Sequence, residues 1–291
     1  MKMKNKTREE KRFYVMLFIV LAYLLFLAAV PQLLNVDPNK TDLSQTFIVP
    51  GTPGHFFGTD NVGRDVFARV LNGGIISVYS AVLTVIIVFM AGTFIGTVSG
   101  FIGGAFDNII MKIVTVFQAF PSFVLAIAIA GILGQGLFNG ILALSLVYWV
   151  TYARLSRSLV LSIKNATFVQ SARVCGADHK SIILKYMLPN MLPTLAVTAA
   201  LDVGNVILSM AGLSFLGLGA ARPTSEWGAM MSEARTNFQT QPWTIVFPGI
   251  ALFIAVIIFN LFGDSIRDMI DKKTQFNIVP NSKKRRGWRK K

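Results

Sequence analysis

The chain has 291 residues, 53% of them hydrophobic and only 14% charged, with a formal net charge of +14. A soluble domain carries nearly twice that share of charge, so the chain divides into membrane spans rather than soluble domains. The positive charge invites a nucleic-acid reading, and its placement argues against one. Of 28 Lys and Arg, six lie in residues 1–12, six in 153–190 and ten in 267–291, a basic rim suited to anionic lipid.

In chain order, residues 1–12 read as a solvated cytoplasmic tail and 13–34 as a first transmembrane helix. A cleaved signal peptide is the rival reading, but the apolar run is long and no small-residue cleavage site stands out, which favours an anchor. Residues 35–74 form an extracytoplasmic segment, ending in a short amphipathic piece, Gly58 to Phe67. Residues 75–266 form a core with five more spans. The first of these covers 75–100 and carries Gly92, Gly96 and Gly100, a spacing that lets another helix approach closely. After a turn at 101–107, a span over 108–133 is expected to kink near Pro121. The Gly134-Gln-Gly136 turn leads to a span over 137–153, which ends in Arg154 and Arg157. Two further spans cover 191–217 and 244–263. Between them an outer segment carries Trp227 and Trp243, read as interfacial tryptophans. Residues 267–291 are a basic cytoplasmic tail. The expectation is an all-α integral membrane protein of six helices with both termini inside, by the positive-inside bias.

The polar interruption at 166–187 organises the whole, because it cannot span a bilayer. Phe168, Val169, Ala172 and Gly176 fall at helical spacing on one face, and Gln170 and Arg173 on another. Gly176 suits the end of a first short helix, and Asp178 can cap a second that runs into the next span. Such a pair suits being gripped by another protein; the alternative is an amphipathic loop lying on the membrane.

Chemistry is sparse. No G-x-x-x-x-G-K-[ST] run occurs, so this chain cannot itself cradle ATP phosphates. His55 and His179 fall on opposite sides in the six-span topology and cannot share a metal, His55 reading as a solvated loop residue. Cys175 stands alone, which excludes an intrachain disulfide and a cysteine cluster. Met230 and Met231 suit interfacial packing better than metal ligation. Asp202, with Asn205 one turn on, sits inside a span, where an ionised group is costly. It either faces a translocation path or bonds across to another helix. Lys112 is expected to snorkel, and Asp264, Arg267 and Asp268 to pair at the membrane surface.

Four stretches carry a family resemblance. Gln170-Ser-Ala172, Gly176 and Leu188-Pro189 resemble the EAA loop of binding-protein-dependent ABC importer permeases. It departs from the pattern at Gln170, Ser171 and Tyr186, the first of which removes a carboxylate. Phe57-Gly-Thr-Asp-Asn-Val-Gly-Arg-Asp-Val-Phe67, Leu213 to Gly219 with Pro223 and Glu226-Trp-Gly228, and Asn260 to Asp268 resemble the second permease subunit of the peptide/nickel class. The similarity spans residues 13–270. Thr224, Glu226, Ala211-Gly212 and Thr240 to Trp243 look more like the nickel or metal-chelate branch, with di- and oligopeptide importers close behind. The resemblance implies a type I importer permease in a bacterial cytoplasmic membrane. Its implied partners are a homologous second permease, two ATPase subunits that use ATP and Mg, and an extracytoplasmic binding protein, with no cofactor in this chain. Phe168, Val169, Gln170, Ser171, Ala172, Arg173, Gly176, Ala177 and Asp178 would meet an ATPase, with the small Ala172, Gly176 and Ala177 seated in its cleft. Asp202 and Asn205 would line the path. A secondary transporter or channel would instead work without ATPases. A membrane enzyme would need clustered ionisable groups, and a signalling anchor would be inert in transport.

Overall fold

A computed structural model describes residues 8–34 and 37–278, with side chains described to 271. Much of each expected basic tail, 1–7 and 279–291, lies outside them. Helix α1 (Arg8–Leu34) begins inside the expected free tail. Glu9 and Glu10 sit in its first turn, where they complement the helix dipole, and Arg12 pairs with Asp268 at 2.7 Å.

Helix α2 (Val66–Ile102) starts nine residues before the expected span. Asp65 explains this: its carboxylate accepts from the Ala68 amide at 2.8 Å and caps the helix. At 37 residues α2 is about 55 Å long. Its glycine stripe does what the spacing implied. A Cβ on Gly92 would overlap the Trp149 carbonyl oxygen, one on Gly96 would overlap that of Ala153, and one on Gly100 would lie 3.2 Å from that of Arg157. The partner is α5 (Leu137–Ile163), whose carbonyls at four-residue intervals ride on the stripe.

The kink expected near Pro121 is a full break. Helices α3 (Gly104–Gln118) and α4 (Ser122–Leu133) meet at 89°, because Pro121 offers no N–H and disfavours helix before it. Four helices among the described residues are long and apolar enough to cross a membrane, or five if the bent pair counts as one span. Helix α5, expected to be a span, is not among them. Asn139, Arg154 and Arg157 dilute it.

Helix α6 (Thr167–Val174) stands alone in the polar interruption. The second helix runs into the next span, as expected: α7 (His179–Ser181) passes through a π-type turn (Ile182–Met187) into α8 (Leu188–Phe215). Helix α9 (Trp227–Ala234) and α10 (Trp243–Ile278) follow. The Trp243 indole N–H donates to the Thr59 carbonyl at 3.2 Å, so α10 starts beside the 37–65 segment. The Arg12–Asp268 pair lies farther along α10, and Phe101, near the end of α2, stacks edge-on to His179 at 5.4 Å. One end of the bundle thus holds 37–65 and α9. The other holds α6 and the first turns of α1. The main core joins Val78, Leu144, Ile207 and Trp227, and a second cluster joins Tyr152, Val169, Ile182 and Met187.

Candidate functional site

Helix α6 is built to be short and to point one face outward. Its end is a Schellman turn: Gly176 has φ +84, and its N–H donates to the Arg173 carbonyl while that of Ala177 donates to Ala172, both at 3.0 Å. Asp178 sits at the N-cap of α7, but its side chain makes no capping hydrogen bond. Val169 (0% exposed) and Ala172 (6%) face inward, where Val169 packs with Val160, Ile182 and Met187. This corrects the expected outer surface. Ala172 is covered by its own chain, Ala177 is half-covered, and of the three small residues only Gly176 is open, with nothing within 4 Å of a Cβ. Phe168 does not share the face of Val169 and is 41% exposed. Gln170, Ser171 and Arg173 are exposed as well. Val174, which sequence reading passed over, is the most exposed apolar residue here at 89%. The spacing Phe168, Ser171, Val174 with Cys175 marks that outer face, and it was legible once Val169 and Ala172 were assigned inward.

A polar ladder links α8 to α5. The Tyr152 hydroxyl donates to Asp202 Oδ2 at 2.7 Å, and Tyr148 Oη lies 3.0 Å from Ser209 Oγ. Asn205 Nδ2 is 3.4 Å from Asp202 Oδ1, and Asn205 is exposed. The interhelical bond, one of the two readings for Asp202, is present, and Asp202 is also partly exposed. Near the α6 end, Asp107 takes two bonds from the Arg157 guanidinium, at 2.6 and 2.5 Å, and one from Ser99 at 2.6 Å. Lys164 caps the end of α2 by donating to the Phe101 carbonyl at 2.6 Å.

The opposite end is closed by buried charge. Glu226 is 1% exposed; its carboxylate accepts from the Gly228 and Ala229 amides and from Ser77 Oγ, at 3.1, 2.8 and 2.9 Å. That caps α9 and ties it to α2. Trp227 is buried at 1%, against the expectation of an interfacial ring, and its indole donates to the Val70 carbonyl at 2.9 Å. Gly73 makes room, since a Cβ there would lie 3.0 Å from the indole. Asp60, Arg64, Arg69 and Glu233 form one ion cluster: Arg64 spans Asp60 at 2.6 Å and Glu233 at 2.5 Å, and Arg69 meets Asp60 at 3.0 Å. Burial pushes the Glu233 carboxyl upward against the pull of Arg64 and Arg222. On the exposed rim, the Ser44 hydroxyl holds Asp42 below the usual carboxylate range. His55 is engaged rather than free, 2.9 Å from Asp65 and 2.6 Å from Gln45. Met230 is buried in the main core. Lys112 is exposed, and Asp268 and Arg267 pair with Arg12 and Asp271.

Residues 92–276 match the family model described as "Binding-protein-dependent transport system inner membrane component". The chain is 43% identical over 255 residues to the probable D,D-dipeptide transport system permease protein DdpC of Escherichia coli K12, covering 88% of this chain and 85% of that one. It is 40% identical to the nickel transport system permease protein NikC of the same strain, covering 87% and 91%. Among solved structures, an inward-facing form of the MetNI methionine ABC transporter aligns over 69% of this chain and 95% of that one. Its TM-score is 0.57 at 19% identity, a likeness of fold.

Proposed function

Because the chain belongs to the binding-protein-dependent transport system inner membrane component family, we propose that the outer face of α6 is where it receives the work of ATP hydrolysis. The protein is a permease subunit of an ABC importer of the peptide/nickel class, embedded in a membrane, and is not itself an enzyme. ATPase subunits and a substrate-binding protein are its partners. In our reading two ATPases dock in the cytoplasm, a homologous permease supplies the other half of the path, and the binding protein meets the 37–65 end outside. Both termini then lie in the cytoplasm of a bacterial inner membrane, consistent with Arg12 pairing to Asp268 far from Thr59 and Trp243.

One observation carries the coupling proposal: an eight-residue helix leaves Val174 89% exposed while its inner face is sealed. An apolar face left open at a polar end suits a protein partner. Phe168, Gln170, Ser171, Arg173, Val174 and Gly176 would make contact, with Asp178 beside them. Val169, Ala172 and Ala177 would act from behind by holding the helix. A push on α6 meets Ile182 and Met187 of the π-type turn, which is continuous with α8. The Tyr152–Asp202 bond passes it on to α5, so α5 and α8 rock together in alternating access. Asn205, exposed beside that bond, is our candidate path residue, with Asp202 setting its position.

Nickel or a metal chelate remains the proposed cargo. Glu226, one of the residues that suggested it, enters as part of the sequence pattern and serves in the fold as a buried cap. A short peptide is the second reading, favoured by the 43% identity to a dipeptide permease. Val174→Asp should leave the permease folded, within about 0.5 kcal/mol, yet abolish co-purification with the ATPases and substrate-stimulated hydrolysis. Full stimulation by that variant would sink the coupling role. Uptake of radioactive nickel and of a labelled dipeptide by vesicles holding the full assembly separates the two cargoes.

A further inference from the structure

A groove of about 530 Å³ runs between α2 and the start of α8, walled by Phe94, Val98, Ile183, Leu188 and Leu192, with Lys180 among its lining residues. We propose that it holds one acyl chain of an anionic phospholipid, with the phosphate at Lys180.

The walls select an apolar occupant. The groove follows α2 from Phe89 to Val98, about 14 Å at 1.5 Å per residue. The walls are apolar along their length, and Met90 and Phe94 on the α2 side are 65% and 69% exposed, so the groove opens sideways.

The charge selects an anion at one end only. His179, next to Lys180, stacks on Phe101, which sets Lys180 level with the end of α2. That is the height at which a headgroup would lie if the apolar length of α2 spans the hydrocarbon. One and two turns deeper, Thr97 and Thr93 line the groove and are 4% and 7% exposed, and neither hydroxyl has a hydrogen-bond partner among the described residues. Rotation about Cα–Cβ would aim the Thr97 hydroxyl at an acceptor in the groove, about 6 Å below Phe101 at 1.5 Å per residue, the depth of a phospholipid's ester carbonyls below its phosphate. One molecule thus supplies a negative charge for Lys180, an acceptor for a buried hydroxyl and a chain for the apolar walls.

The test uses the full transporter in nanodiscs of phosphatidylcholine doped with phosphatidylglycerol, read by native mass spectrometry and by photo-crosslinking with an acyl-chain diazirine. The expected result is a retained phosphatidylglycerol crosslinked to Phe94 or Leu188. Lys180→Ala should weaken its binding roughly fivefold, the share of one basic residue near anionic lipid. Leu188→Trp should fill the groove and expel the chain. Since that variant perturbs a core-facing turn, Phe94→Ala is run beside it and should abolish the crosslink at that position alone. Retention of phosphatidylcholine and phosphatidylglycerol alike, unchanged by Lys180→Ala, would overturn the assignment. So would a crosslink from Phe94 to a helix of the second permease. These readouts do not depend on α6 docking, and Val174→Asp should leave them unchanged.

Discussion

The two ends of α2 are finished in opposite ways. At the 37–65 end, polar groups are paired and buried: Glu226 takes three hydrogen bonds, and Asp60, Arg64, Arg69 and Glu233 neutralise one another. At the other end, α6 exposes Phe168 and Val174 and ends in a glycine turn with open space around it. Buried ion clusters are costly to break and resist being pulled apart one partner at a time. An exposed apolar helix face, by contrast, gains stability only when something covers it. One end therefore acts as a rigid plug and the other as a socket awaiting a partner, joined by a 37-residue rod.

The largest expected effect breaks the plug. Glu226→Ala removes the α9 cap and strands two amides and the Ser77 hydroxyl, which should cost about 3 kcal/mol. Thermal unfolding in detergent would show it, with α9 and the Trp227 fluorescence signal lost first. A melting temperature equal to wild type would mean the plug is not held as described. A smaller effect is expected at the socket. Gly176→Ala forces a Cβ into φ +84 without a clash, so the cost is about 1 kcal/mol of backbone strain. It should appear as faster amide exchange confined to residues 167–178, with the Trp227 region untouched.

The smallest effect sharpens the contrast by pH. Glu233 has a raised folded pKa, so its contribution is complete below its unfolded value near 4.3 and is lost as pH rises through the folded value. Asp42 has a lowered one. Its contribution is present above an unfolded value of about 3.9 and disappears as pH falls through the folded value. Limited proteolysis of the 37–65 segment across pH should show weakening on both sides of a window near these values. Glu233→Gln should flatten the upper side, and an unchanged upper limb would contradict the assignment.

Much of this was readable before any coordinates. The glycine stripe needed only its four-residue interval, because a missing Cβ is a local fact and any helix would be drawn in by it. The break at Pro121 and the turn at Gly176 likewise follow from backbone chemistry at single positions. The family followed from ordered motifs, among them Gly58 to Phe67 and Glu226-Trp-Gly228.

What the tertiary structure alone decided is which side of each element faces which neighbour. Periodicity put Phe168 and Val169 together, but the cluster of Val160, Ile182 and Met187 admits only Val169. Trp227 looked like a membrane-surface ring until Gly73 and the Val70 carbonyl gave it a buried slot. Asp202 gained its interhelical bond only because Tyr152, fifty residues earlier, is packed where its hydroxyl can donate a hydrogen bond to it. Hydrophobic spacing records that a residue wants company. Partners far along the chain determine what that company is, because only packing brings their side chains within bonding distance.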